Sequence, residues 1–130
     1  MKDKKTKVIM AKVALDGHDR GLVVVSMWLR DLGMEVVHLG RYQTVDKVVQ
    51  TAIEEDADII GLNFMGGEHL YFSARMREKM KERGVNARLM VGGIIPKDDI
   101  AKLKEMGVDA VFPAGTPMQK IVDSITQFER

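Results

Sequence analysis

The sequence predicts an α/β domain built on a parallel sheet. Three observations carry that prediction. Short, nearly continuous apolar runs alternate with longer amphipathic stretches, the alternation repeats five times, and Gly or Pro marks most of the junctions. Strands covered by helices on both faces need apolar side chains on both faces, which an alternating pattern would not supply.

Taken in order, residues 8–15 (VIMAKVAL) form the first such run. Residues 21–32 follow with Leu22, Val25, Leu29 and Leu32 at helical spacing, and the pattern stops at Gly33. Residues 34–39 are a second β-branched run. Thr44 suits an N-cap, because its hydroxyl can accept from a first-turn N–H, and residues 47–55 carry the amphipathic pattern behind it. The third strand is expected at 57–62 and the third helix at 70–83, closed by Gly84. Residues 87–91 are the fourth strand. A helix over 96–106 starts with Pro in its first turn and ends at Gly107. Residues 110–112 are the fifth strand, and a last helix runs from near Pro117 towards the C-terminus. Five strand–helix units with short connections lead to the doubly wound order 2-1-3-4-5, a flavodoxin-like (Rossmann-type) five-stranded parallel sheet with helices on both faces. With 130 residues and no linker, repeat or low-complexity segment, residues 1–130 read as one domain.

Composition narrows the function classes. Twenty Lys+Arg against nineteen Asp+Glu leave a net charge of +1, without the broad basic face of a non-specific nucleic-acid binder. No Cys is present, which excludes disulfide scaffolds, Cys zinc sites and thiol catalysis. The charged start MKDKKTK leads into only eight apolar residues, too few for a membrane span. A cytoplasmic protein with neither nucleic acid nor membrane as partner is expected.

In sheets of this kind a ligand binds outside the carboxyl ends of the strands. Those ends carry Asp16-Gly17-His18-Asp19-Arg20-Gly21, Gly61-Leu62-Asn63-Phe64-Met65-Gly66-Gly67, Gly92-Gly93 and Pro113-Ala114-Gly115-Thr116. Residues without Cβ at so many strand ends let a large or extended ligand approach backbone closely. His18 stands two residues after Asp16, a spacing that suits a carboxylate holding one imidazole nitrogen so that the other points outward, as in metal-bound histidines. Lys12 interrupts the apolar first strand on the face that leads to Asp16, its nearest obvious partner in sequence. Neither His38 nor His69 makes a paired-ligand spacing, so a protein-only zinc site does not form. A single His offered to a metal suggests that the metal brings its own equatorial ligands, as a macrocycle does.

Asp16-Gly17-His18-Asp19-Arg20-Gly21 resembles the Asp-x-His-x-x-Gly signature of base-off, His-on cobalamin-binding domains. The resemblance continues through Gly92-Gly93-Ile94-Ile95-Pro96 and Phe112-Pro113-Ala114-Gly115-Thr116, and the extended run from Ala11 to Gly21 is similar to the cobalamin domain or small subunit of methylmalonyl-CoA mutase-like acyl-CoA mutases. It implies adenosylcobalamin as cofactor, with His18 replacing dimethylbenzimidazole on cobalt, Asp16 bonded to its other ring nitrogen and Lys12 behind Asp16. Gly17, Asp19, Arg20 and Gly21 belong to the same cofactor loop, and Gly21 lets the first helix start clear of the displaced nucleotide tail. That tail is expected in a slot beside the first and third strands, lined by Gly61, Asn63, Met65, Gly67, Gly92 and Gly93, with Phe112, Gly115 and Thr116 near its far end. It also implies a partner: a large subunit whose barrel binds the acyl-CoA, without which this chain is inactive. One position departs from the family, which usually has Ser-x-Leu where this chain has Asn63-Phe64-Met65. Replacing Asn63 by Ser is expected to be nearly neutral and by Leu harmful.

Other readings of the fold fail on particular residues. A phosphorylated receiver domain needs Asp ending the third strand and Lys ending the fifth, where this chain has Asn63 and Phe112-Pro113. A flavodoxin needs a hydroxyl-rich loop where this chain has DGHDRG. A corrinoid carrier for methyl transfer, or a cobalamin-dependent sensor, is the alternative; such modules generally have a helical domain ahead of the fold, and about seven residues stand there. Most of the ten Met residues, including Met10 and Met90, read as core filling. Trp28 reads as either packed or at a partner surface, and Arg41-Tyr42-Gln43 as a segment after the second strand at the cofactor edge.

Overall fold

A computed structural model describes residues 6–13 and 20–128, with backbone alone at 20–22, 41 and 42. Strands β1 (Lys7–Val13), β2 (Glu35–Gln43), β3 (Ile59–Phe64), β4 (Arg88–Gly93) and β5 (Ala110–Pro113) alternate with helices α1 (Arg20–Asp31), α2 (Val45–Glu55), α3 (His69–Arg83), α4 (Lys97–Glu105) and α5 (Met118–Phe128). The sheet is ordered β2-β1-β3-β4-β5, and all four pairings are parallel. This is the arrangement that the element pattern predicts.

Each strand sends alternate side chains to opposite faces. On one face Ile9, Ala11, Val13, Ile60, Leu62, Phe64, Leu89 and Val91 pack with Val48, Val49, Ala52, Met76, Met80 and Leu103 from α2, α3 and α4. On the other, Val8, Met10, Ile59, Met90 and Ala110 pack with Leu29 of α1 and Ile121 and Ile125 of α5. Lys12 follows Val8 and Met10 onto this second face and is fully buried. Thr44 caps α2, its Oγ1 accepting from Lys47 N–H at 3.1 Å.

Two local differences from the expected elements have physical reasons. Arg41-Tyr42-Gln43 belong to β2, not to a segment after it. The β1–β2 register jumps from Met10↔His38 to Ala11↔Gly40, and this bulge lets pairing resume as far as Val13↔Gln43. Gly40, at φ +84°, adopts the backbone that the bulge requires. Pro96 stands at the N-cap of α4, not inside it, at ψ 142°. Residues 14 and 15, the end of the first apolar run, lie outside the described residues.

Candidate functional site

At the carboxyl ends of the strands, a cleft of about 580 Å³ opens between the sheet and helices α1 and α5. Its floor is built from missing side chains. Gly61 in β3 has no room for a Cβ, which would stand 2.6 Å from Met10 Sδ, and one at Gly92 in β4 would stand 3.1 Å from the Phe112 carbonyl oxygen. The two glycines lie on adjacent strands, where the register pairs Gly61 with Met90 and Asn63 with Gly92. The sheet surface is therefore lowered where neighbouring positions carry Met10 and Met90.

The cleft gathers most of the cofactor-slot residues expected from sequence: Gly61, Asn63, Met65, Gly92, Gly93, Phe112, Gly115 and Thr116 all line it. Gly67 does not; it has φ +88° and open space where a Cβ would stand. Asp16, Gly17, His18 and Asp19 lie outside the described residues, and Arg20 and Gly21 begin the α1 backbone. The position of the cleft also differs from the expected slot. It runs over β3, β4 and β5, and among the described residues β1 contributes Met10.

Residues missed in sequence come from the helices. Val24, Val25 and Trp28 of α1 and Ile121 of α5 complete the wall, with Pro113 and Ala114 at the rim. Trp28 is half-buried, packed against the α1/α5-side core, and lines the cleft. The inward stripe of α1 could have pointed to it, since Val25, Trp28 and Leu29 follow helical spacing.

Two polar groups meet the apolar lining. The Thr116 hydroxyl donates back to the Pro113 carbonyl, stabilising the turn after β5. The Lys12 ammonium donates to Asn63, 3.2 Å to its backbone carbonyl oxygen and 3.3 Å to its side-chain Oδ1, while Asp16, its partner expected from sequence, lies outside the described residues. A fully buried ammonium requires such acceptors, because desolvating an isolated charge is strongly unfavourable.

A second ion-pairing element ties the loops behind the cleft together. His69, at the start of α3 and only 3% exposed, shares a proton-bearing contact of 2.7 Å between Nε2 and Asp99 Oδ2 in the first turn of α4. The hydrogen bond from His69, aided by Lys102, holds the Asp99 carboxyl below its usual range. This buried pair fastens the segments that follow β3 and β4, the strands carrying Gly61 and Gly92.

Among the described residues no group of three or more His, Asp or Glu side chains could hold a metal ion, and no helix is long and apolar enough to cross a membrane. A glycine-floored cleft with one amide and an otherwise apolar lining fits an extended organic group bearing few polar atoms.

Comparison with known proteins agrees with this geometry. The family model of the B12 binding domain matches residues 6–122. The chain is 42% identical over 120 residues to the 2-hydroxyisobutanoyl-CoA mutase small subunit of Aquincola tertiaricarbonis, covering 92% of this chain and 88% of that one. It is 39% identical over 121 residues to the pivalyl-CoA mutase small subunit of Xanthobacter autotrophicus, covering 92% and 81%. A cobalamin-binding protein of Desulfitobacterium hafniense superposes with a TM-score of 0.83 at 22% identity, over 96% of this chain and 60% of that one, which shows a shared fold. The chain thus belongs to the B12-binding domain family.

Proposed function

We propose that this protein is the cobalamin-binding small subunit of an adenosylcobalamin-dependent acyl-CoA mutase, acting with a separate large subunit that binds the acyl-CoA ester. The observation that carries the reading is the cleft floored by Gly61 and Gly92 at the carboxyl ends of the strands, in a chain whose sequence carries Asp16-Gly17-His18 after its first strand. The two mutase small subunits, matched over most of their length, support the same conclusion.

The residues divide the work by position. His18 presents one ring nitrogen to cobalt, and Asp16 accepts from the other, fixing the tautomer and raising the basicity of the ligand. Lys12 holds the charge balance behind them. Gly17 and Asp19 flank His18, and Arg20 and Gly21 open α1 behind it. The glycine floor and the walls from Trp28, Met65 and Phe112 would hold the cofactor's nucleotide tail and exclude water from it. When bound, the cofactor supplies a homolysable cobalt–carbon bond, the radical source for a 1,2-rearrangement. The large subunit would provide the second cavity for the CoA ester, since the described lining of the cleft suits one extended group and, among the described residues, carries no Lys or Arg.

The test is spectroscopic. In cob(II)alamin bound to protein carrying nitrogen-15 only in His, hyperfine coupling from the label is expected. Coupling from the benzimidazole nitrogen instead would remove His18 from the lower face. Asp16→Ala is expected to reduce activity of the assembled enzyme by about 10–100-fold, the usual effect of losing the partner of a metal-bound His. Full activity would exclude Asp16.

A further inference from the structure

Asn63 stands at the one position where the strand-end pattern departs from the expected Ser, and the structure gives it two contacts that a Ser could not combine. The β1–β3 register runs to Ala11↔Leu62, and the Lys12 ammonium then bonds both oxygens of the next residue, Asn63. An ammonium only donates, so the amide atom that faces it must be the carbonyl oxygen. The amide orientation is thereby set: Nδ2 lies on the cleft side, 3.9 Å from where a Cβ at Gly92 would stand. Lys12 is the penultimate residue of β1, from which the chain continues into residues 14–19.

We propose that Asn63 is a positioning residue that links the cleft to the end of β1. One side of its amide holds the Lys12 ammonium, on the penultimate residue of β1. The other side, made donor-only by that contact, faces whatever occupies the cleft. A group that accepts from Nδ2 polarises the amide and makes Oδ1 a stronger acceptor for Lys12, since linked hydrogen bonds reinforce one another. Occupancy of the cleft and placement of the β1 end are therefore coupled, and by linkage the coupling is reciprocal. This inference rests on cobalamin as the ligand and assigns to Asn63 a role beyond lining the tail slot. It also changes the expectation for Ser, whose short hydroxyl cannot reach the ammonium from the same backbone position.

Two variants separate the two sides. Asn63→Asp keeps both oxygens for Lys12 and removes the NH2 donor. Asn63→Ser keeps a donor and the backbone carbonyl that Lys12 bonds, and withdraws only the side-chain Oδ1 acceptor. Each is titrated with hydroxocobalamin and with cobinamide, the same corrin lacking the nucleotide tail, after thermal melting shows a folded protein. Asn63→Asp is expected to bind cobalamin about 5- to 100-fold more weakly, as loss of one buried hydrogen bond implies, and cobinamide as wild type does. Asn63→Ser is expected to weaken both by about 3- to 10-fold, since an ammonium that has lost one of its acceptors holds the end of β1 less firmly. Unchanged cobinamide binding by Asn63→Ser, or unchanged cobalamin binding by Asn63→Asp, overturns the link. If wild type binds neither corrinoid, the reading of the protein as a cobalamin subunit fails first, an outcome distinct from the other two.

Discussion

The two faces of the sheet are built from the same strands and do opposite things. On β3, Ile60, Leu62 and Phe64 fill one face, while Ile59, Gly61 and Asn63 face the other. On β4, Leu89 and Val91 are packed beneath α3 and α4, whereas Met90, Gly92 and the empty space above them form the cleft floor. The period of two makes this possible. Side-chain volume can be removed from one face at alternate positions without opening the other, so a closed apolar layer carries the stability while the opposite layer accommodates a ligand.

Mutations on one strand break this division most directly. Leu89→Ala, on the closed face, should cost about 2–5 kcal/mol in chemical denaturation, because a fully buried side chain leaves a cavity behind. The folded fraction should keep its cobalamin affinity; a large affinity loss without a stability loss would show that the faces are not independent. Gly92→Val, three residues along on the open face, should cost about 1–3 kcal/mol from crowding against the Phe112 carbonyl and should block cobalamin binding in a titration. Normal binding by that variant would place the ligand elsewhere.

Smaller effects sharpen the comparison. Trp28→Leu should weaken cobalamin binding by about 2- to 10-fold, the worth of an aromatic contact in a cleft wall, and as the sole Trp its fluorescence should be quenched when wild type binds. An unquenched Trp28 at saturation would put the corrinoid away from α1. The least effect is expected at Asp99. Its carboxyl is held below the usual range by His69, so the pair stabilises the fold fully above about pH 4, where the unfolded Asp is ionised, and the contribution disappears as pH falls through the lower folded value. Urea midpoints of wild type should therefore fall more steeply below about pH 4 than those of Asp99→Asn, and parallel curves would assign the acid sensitivity to other carboxylates.

Much of this was legible in the chain. The apolar runs located all five strands, Thr44 and Gly84 marked helix ends, and the glycines at four strand ends pointed to the cleft. Trp28 was ambiguous because helical spacing says which side of α1 faces inward, not whether a solid core or an opening awaits it. The β2 bulge was hidden because its cause is the pairing of Gly40 with Ala11, a contact between distant residues.

What the sequence by itself determined is the fold and the chemistry at its ligand-binding edge. Periodicity sets which residues form strands, the short connections set their parallel order, and Asp16 and His18 stand close enough in sequence for their spacing to be read as a ligand and its support. What only the tertiary structure decided is the company each residue keeps across strands. Met10 over Gly61, Phe112 beside Gly92, His69 against Asp99 and Lys12 on Asn63 join residues separated by 20 to 51 positions. The first two arise from packing, the third from a hydrogen bond between side chains, and the last from the need of a buried ammonium for acceptors. Sequence showed that Lys12 must have a partner; the sheet brought Asn63 within reach.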